Sequence, residues 1–265
     1  MDDQLDRYET LKLSREGAVL RIEISRPEVK NAVNRQMHHE LAGVFQFADA
    51  DPHSRIVLLT GAGDAFCAGG DLEYMKYMRD TPGAFAESTV EAKRMLFSLL
   101  DMTKPLVSRI NGDAVGLGAT LALFADISVA VDTARLMDPH VRVGLVAGDG
   151  AAVIWPALVG FARAKAALLA ARPVVARDAA AIGLINESVP AAELDARVEA
   201  WIKDLDAGAT MAVRYTKMSM NIALRQLASS MLDASLAYEI VTAVQPDHSE
   251  AVTAFEERRR PKFAK

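Results

Sequence analysis

Two glycine-rich turns stand out as places where backbone amides could do chemistry. They read Phe66-Cys67-Ala68-Gly69-Gly70-Asp71-Leu72 and Asn111-Gly112-Asp113-Ala114-Val115-Gly116-Leu117-Gly118. Each follows a short apolar run and precedes an apolar stretch with helical spacing. The first residues of a helix carry N–H groups without partners and a partial positive charge. Two such ends aimed at one carbonyl oxygen would hold the negative charge that develops on it during reaction. Downstream, Asp138-Pro139-His140 and Gly148-Asp149-Gly150 put an imidazole and a carboxylate into loops. Such a pair can move a proton or orient a water.

The elements that must hold these turns follow from periodicity. Val19, Leu20, Ile22 and Ile24 alternate with Arg21, Glu23 and Ser25, which predicts a strand pair over 10–14 and 18–24 turning at Glu16-Gly17. Asn34 is a predicted N-cap for a helix over 35–50. Near-continuous apolar runs at 55–60, 106–110 and 127–131 predict strands covered on both faces, with a short strand at 135–137. Helices are predicted over 72–78, 87–102 and 119–125. Past Gly144 the chain is alanine-rich, with predicted helices over 161–171, 176–182, 191–205, 211–227 and 231–243, and a last one from 251 toward Lys265. Residues 185–189 read as a strand or an extended link. Strand–helix alternation followed by a helical tail predicts an α/β core over 1–190 and a helical region over 191–265.

A chain of 265 residues that is 51% hydrophobic can bury a large core. A net charge of -5 argues against a nucleic-acid binder. The single cysteine, Cys67, excludes an internal disulfide framework and a Cys-rich metal site, and reads as a small buried filler. The start, Met1-Asp2-Asp3-Gln4-Leu5-Asp6, is acidic and lacks the apolar centre of a signal peptide. The richest apolar run, 116–125, is shorter than the ~20 residues of a membrane span. The expectation is a soluble, cytoplasmic protein with no membrane or nucleic-acid partner, no metal and no redox cofactor. His38-His39 falls on a predicted helix without a ligand pattern around it.

Taken in order, Arg26-Pro27-Glu28-Val29-Lys30-Asn31-Ala32, the turn at 65–72, Lys104-Pro105, the turn at 111–118, the stretch at 179–186 and the tail ending Lys262-Phe263 resemble the crotonase family, the enoyl-CoA hydratase/isomerase superfamily. The resemblance spans roughly the whole chain. It implies an α/β spiral of repeated ββα units with a C-terminal helical region that drives trimerisation, the trimers pairing into hexamers. It implies acyl-CoA thioester substrates, CoA arriving as part of the substrate rather than as a cofactor. By position in the motifs, the amides of Gly70 and Leu117 would polarise the thioester carbonyl and stabilise an enolate. Val29, Lys30, Ala32, Ala68, Asp71, Leu72 and Gly116 would line the substrate site, and Lys262 and Phe263 would reach it from a neighbouring subunit.

The chain departs from the family pattern at the two glutamates that orient water in a hydratase. Thr120 stands at the first position and His140 at the second. Threonine is a poor base at neutral pH, so Thr120 reads as pocket wall. Some isomerases and hydrolases of the family use an aspartate in the following loop, one residue before Asp149, where this chain has Gly148. His140 and Asp149 are therefore the candidate proton carriers. Three outcomes stay open: an enoyl-CoA hydratase/isomerase, another crotonase reaction (double-bond isomerisation, thioester hydrolysis or decarboxylation), and a catalytically silent acyl-CoA-binding protein.

Overall fold

The computed structural model describes residues 5–264. The acidic start at Met1-Asp2-Asp3-Gln4, and Lys265, toward which the last helix was predicted to run, lie outside the described residues. Strands β1 (Leu11–Glu16) and β2 (Val19–Ile24) form an antiparallel pair whose alternate side chains enter the core. Helix α1 (Arg35–Ala50) starts where Asn34 Oδ1 accepts the Met37 N–H at 2.8 Å, which satisfies one of the free donors of its first turn. The chain continues through β3 (Ile56–Gly61), α2 (Leu72–Asp80), α3 (Ala84–Asp101), β4 (Leu106–Ile110), β5 (Ala114–Val115), α4 (Leu117–Leu123), β6 (Ile127–Val131) and β7 (Arg135–Met137). Then come α5 (Ala151–Ala170), β8 (Val174–Val175), α6 (Ala176–Ala181), β9 (Glu187–Val189), α7 (Leu194–Ala207), α8 (Thr210–Ala243) and α9 (Pro246–Glu256).

One sheet has the order β1-β2-β3-β4-β6-β9, parallel from β2 onward. β3, β4 and β6 are almost wholly buried, as their apolar runs predict. A second, shorter ribbon orders β5-β7-β8. Parallel bridges at Val33–Gly70 and Cys67–Ala114 extend that ribbon across the earlier turns. Each turn of the spiral thus runs main-sheet strand, ribbon segment, helix, the ββα unit that the resemblance implies. Asn31 and Asn111 fasten the turn between β3 and the ribbon. The Asn31 Nδ2 donates to the Ala62 and Ala65 carbonyls at 2.8 and 2.9 Å, and the Asn111 Nδ2 donates to Gly63 at 2.9 Å.

The helical tail packs back on the spiral: α7 against β3, β4 and β6, α8 across α3 and α5, and α9 against α2. Three expectations are corrected here. α5 starts at Ala151, not 161, and is broken at Gly160 (φ 77, ψ 160), so the sequence revealed only its second half. The two helices expected over 211–227 and 231–243 are one continuous helix, α8. The last helix starts at Pro246 and ends at Glu256. The expectation that no apolar run approaches the length of a membrane span is corrected too: α5 is long and apolar enough to cross a membrane, though Val153, Ile154 and Trp155 are buried in the core.

Candidate active site

The ribbon brings the two glycine-rich turns side by side. Cys67 pairs with Ala114 in parallel register, with the Val115 N–H donating to the Cys67 carbonyl at 2.9 Å. Gly70 and Leu117 each lie three residues past that pair, Gly70 on the extended run that pairs with Val33 and Leu117 at the first residue of α4. Around Gly70, the Gly69 carbonyl accepts from Val33 and the Asp71 N–H donates to Val33. Successive extended residues point their polar groups to opposite sides, so the Gly70 N–H faces away from Val33. Leu117 opens α4, and its N–H has no helical acceptor. Among the described residues, neither N–H is given an acceptor, and both residues line one cavity of about 320 Å3. Gly116 makes the corner between ribbon and helix at φ 55, ψ -125, a conformation open to glycine.

His140 and Asp149 line the same cavity. His140 begins a turn of 3-10 helix (His140–Val143) after β7, and the Asp138 carboxylate receives both its Nδ1–H, at 2.8 Å, and its backbone N–H, at 3.1 Å. That contact fixes the ring and leaves Nε2 facing the cavity. Asp149 Oδ2 lies 3.7 Å from Nε2, and so does Oε1 of Glu239 on α8. Asp149 Oδ1 and Glu239 Oε2 are buried without a hydrogen-bond partner among the described residues. The electrostatics separate these groups. Burial opposes the charge on Asp138, but the His140 cation and hydrogen bonds outweigh it and hold the carboxyl below its usual range. Burial likewise opposes the His140 cation, yet Asp138 first and then Asp149 raise it well above the ordinary imidazole value. Asp149 is raised by burial, partly offset by His140. Glu239 is pushed by burial to about 8.

A family model described as enoyl-CoA hydratase/isomerase matches residues 14–265. A probable enoyl-CoA hydratase of Rhodobacter capsulatus is 33% identical, covering 97% of this chain and 98% of its own. The chain belongs to the enoyl-CoA hydratase/isomerase family. It is an acyl-CoA enzyme of the crotonase superfamily. A crystal structure of a family member from Mycobacterium paratuberculosis superposes with a TM-score of 0.87 at 33% identity, covering 93% of this chain and 99% of that one. A β-diketone hydrolase from the cyanobacterium Anabaena, bound to (S)-3-oxocyclohexyl acetic acid, superposes with a TM-score of 0.84 at 28% identity, covering 90% and 95%.

A groove of about 1150 Å3 leads into the cavity, and Ala68, Gly70, Tyr74, Ser88 and Phe255 border both. Val29, Ala32, Ala68, Asp71 and Leu72, the positions the family resemblance assigns to substrate, line this groove, and Gly116 lines the cavity. Asp71 also caps α2 by accepting the Glu73 N–H at 2.9 Å and pairs with Arg26 at 2.9 Å. Lys30 is elsewhere, in a separate cleft beside Asp64 and Asp113. Thr120 is fully buried within α4 and borders neither space; its methyl packs toward Gly150. Lys262 and Phe263 lie on the tail, with the Lys262 N–H donating to Glu250, and border neither space of their own chain. Cys67 is buried, its thiol pushed by burial up to about 11. His38 and His39 share the Glu91 carboxylate at 2.7 Å each, and His38 lines the cavity.

Glu239 is absent from the sequence-based candidates. Its signal was available: the buried stripe of α8 contains Ala228, Leu232, Leu236 and Ala243 at helical spacing, and Glu239 falls in the same register. An ionisable side chain on a core-facing stripe needs a partner or a purpose.

Proposed function

We propose that the cavity stabilises an enolate. The Gly70 and Leu117 N–H groups hold the substrate carbonyl oxygen, and the His140–Asp149 pair moves the proton. One observation carries this reading: two amides with no acceptor among the described residues and a buried imidazole–carboxylate pair line a single cavity at the end of a long groove. The groove suits the pantetheine arm of an acyl-CoA, with the acyl group in the apolar cavity. An α-proton of a thioester is only weakly acidic, and one well-aimed donor is worth about 3–4 kcal/mol when charge moves onto the oxygen. Asp138 keeps His140 protonated, so Asp149 is taken as the group that accepts the α-proton, with the imidazolium beside it balancing the charge. Thr120, at the position of one hydratase glutamate, is buried and borders neither space, which disfavours hydration by two glutamates and favours proton relocation along the acyl chain. The same reading takes the enzyme to work without metal or redox cofactor, as a cytoplasmic homotrimer or dimer of trimers.

A second reading is hydrolytic carbon–carbon cleavage of a β-dicarbonyl substrate. The Anabaena relative named a β-diketone hydrolase favours it, as does the histidine–carboxylate cluster, which could deprotonate a water beside a polarised carbonyl. The oxygen of that water would bond to the carbonyl carbon, the adjacent C–C bond would break, and the departing carbon would leave as an enolate and take up a proton.

The test is hydrogen–deuterium exchange at the acyl α-carbon of a saturated acyl-CoA in D2O, followed by mass spectrometry. The expected result is exchange in the wild type and its loss in His140→Ala and Asp149→Asn. A wild type that binds the thioester without exchanging it would refute the enolate reading. Product analysis with 3-enoyl-CoAs and cyclic 1,3-diketones separates the two reactions.

A further inference from the structure

We infer that Glu239, on α8, is a second catalytic acid, the group that returns a proton to the enolate formed in the cavity. The inference rests on the enolate reading and adds to it the source of the second proton. Glu239 lines the cavity, and its side chain is only 7% exposed. Oε1 lies 3.7 Å from His140 Nε2, opposite the role given to Asp149, while Oε2 has no partner among the described residues. A buried carboxyl with an unsatisfied oxygen costs stability, so a purely structural role does not account for it.

The surrounding backbone is shaped to admit this carboxyl. A Cβ on Gly148 would lie 2.5 Å from Glu239 Oε2 and 2.6 Å from the Ser235 carbonyl. The absence of a side chain at 148 therefore gives Glu239 its place beside the catalytic loop. Thr242, one turn further along α8, donates from Oγ1 to the Glu239 carbonyl at 2.9 Å and accepts the Val146 N–H at 3.1 Å. The helix that carries Glu239 thus also holds the loop that carries Asp149.

Two carboxyls flank one imidazolium: burial raises both, Glu239 up to about 8, and the His140 cation offsets part of the rise at each, so Glu239 is taken as the member that holds its proton. Groups that hold their protons differently in this way divide into acid and base. The cycle balances without another reactant. Asp149 takes a proton as the substrate C–H bond breaks. The Glu239 O–H bond then breaks and its proton forms the new C–H bond. His140 resets the pair by passing its Nε2 proton to Glu239 and taking the one on Asp149.

The experiment compares Glu239→Gln and Glu239→Asp with the wild type, measuring single-turnover product formation and α-exchange on the same thioester. Gln keeps size and burial but has no acidic proton. The expected result is a fall in product formation of at least about 100-fold in Glu239→Gln, within the usual range for a general acid, with α-exchange falling less than about tenfold. Glu239→Asp should recover part of the lost rate. The wild-type rate should fall with rising pH near 8, and that limb should disappear in Glu239→Gln. His140, Asp149 and Asp138 act on Glu239 from the segment after β7, and His248 of α9 acts in turn on His140, so the limb belongs to this cluster as a whole. Near-wild-type turnover in Glu239→Gln, or equal loss of exchange and turnover, would overturn the assignment. A protonated-carboxyl infrared band at neutral pH, absent in Glu239→Gln, tests Glu239 apart from the enolate reading. If the wild type lacks that band, the acid role is refuted; if the band is present but α-exchange is absent, the enolate reading alone fails.

Discussion

Asp138→Asn removes the charge that holds His140 protonated while keeping the size of the side chain. The Asp138 side chain is 1% exposed and contacts His140 Nδ1 at 2.8 and 3.0 Å and its N–H at 3.1 Å. Removing one partner of a buried pair costs about 3–5 kcal/mol. Asn still accepts a hydrogen bond and Asp149 still faces the ring, so the low end applies, about 3 kcal/mol. For a chain of this size that lowers Tm by about 6–12 °C. The pH dependence has a definite sign. His140 is raised, so its contribution is complete below the unfolded value of about 6.5 and is lost as pH rises through its folded value. Asp138 is depressed, so its contribution is present above about 3.9 and is lost as pH falls through its folded value. The gap between wild type and variant should therefore be widest near pH 5–6 and should close at alkaline pH. Calorimetry across pH measures the gap, and the His140 ring signals in NMR should titrate at lower pH in the variant. A gap of under about 1 kcal/mol at pH 5.5, with an unmoved His140 titration, would refute the account of this pair.

Gly70→Ala tests the cavity rather than the fold. A Cβ there would meet Met75 at no less than 3.7 Å, an ordinary contact, so Tm should shift by no more than about 2 °C while kcat/KM falls at least tenfold. Gly148→Ala should behave oppositely, destabilising by about 1–3 kcal/mol through displacement of α8, as urea unfolding would report. Lys104→Met strips the Ala48 and Asp51 carbonyls and the Ser54 hydroxyl of their shared buried donor and should cost about 2–4 kcal/mol in the same assay.

Much of the spiral could be read from residues. Asn34 marked the start of α1, and the apolar runs of β4 and β6 gave their bounds because both faces of those strands are covered. The tail was harder. Ala228-Ser229-Ser230 resembles a break, yet Ser230 Oγ donates back to the Leu227 carbonyl and Ala228 is buried, so packing carries α8 through. Pro156 and Gly160 hid the first half of α5, which tertiary burial of Trp155 holds in place. Gly70, Leu117, His140 and Asp149 stood out as candidates from motif order, and all four line one cavity. Their convergence needed the ribbon pairing at Cys67–Ala114, and Glu239 needed the fold itself, since its neighbours come from a loop far back in the chain.

The attachment of the 144–150 loop to the C-terminal helices has a consequence for how the protein matures. Val146 hangs from Thr242, and His248 Nδ1 donates to the Val143 carbonyl at 2.7 Å. A ribosome delivers positions 70 and 117 long before it delivers 239 or 248. A nascent chain can therefore form the turns at 66–72 and 111–118 while the loop at 144–150 is still without its scaffold. On the proposed enolate reading, the cavity is complete only once these helices have docked on the loop.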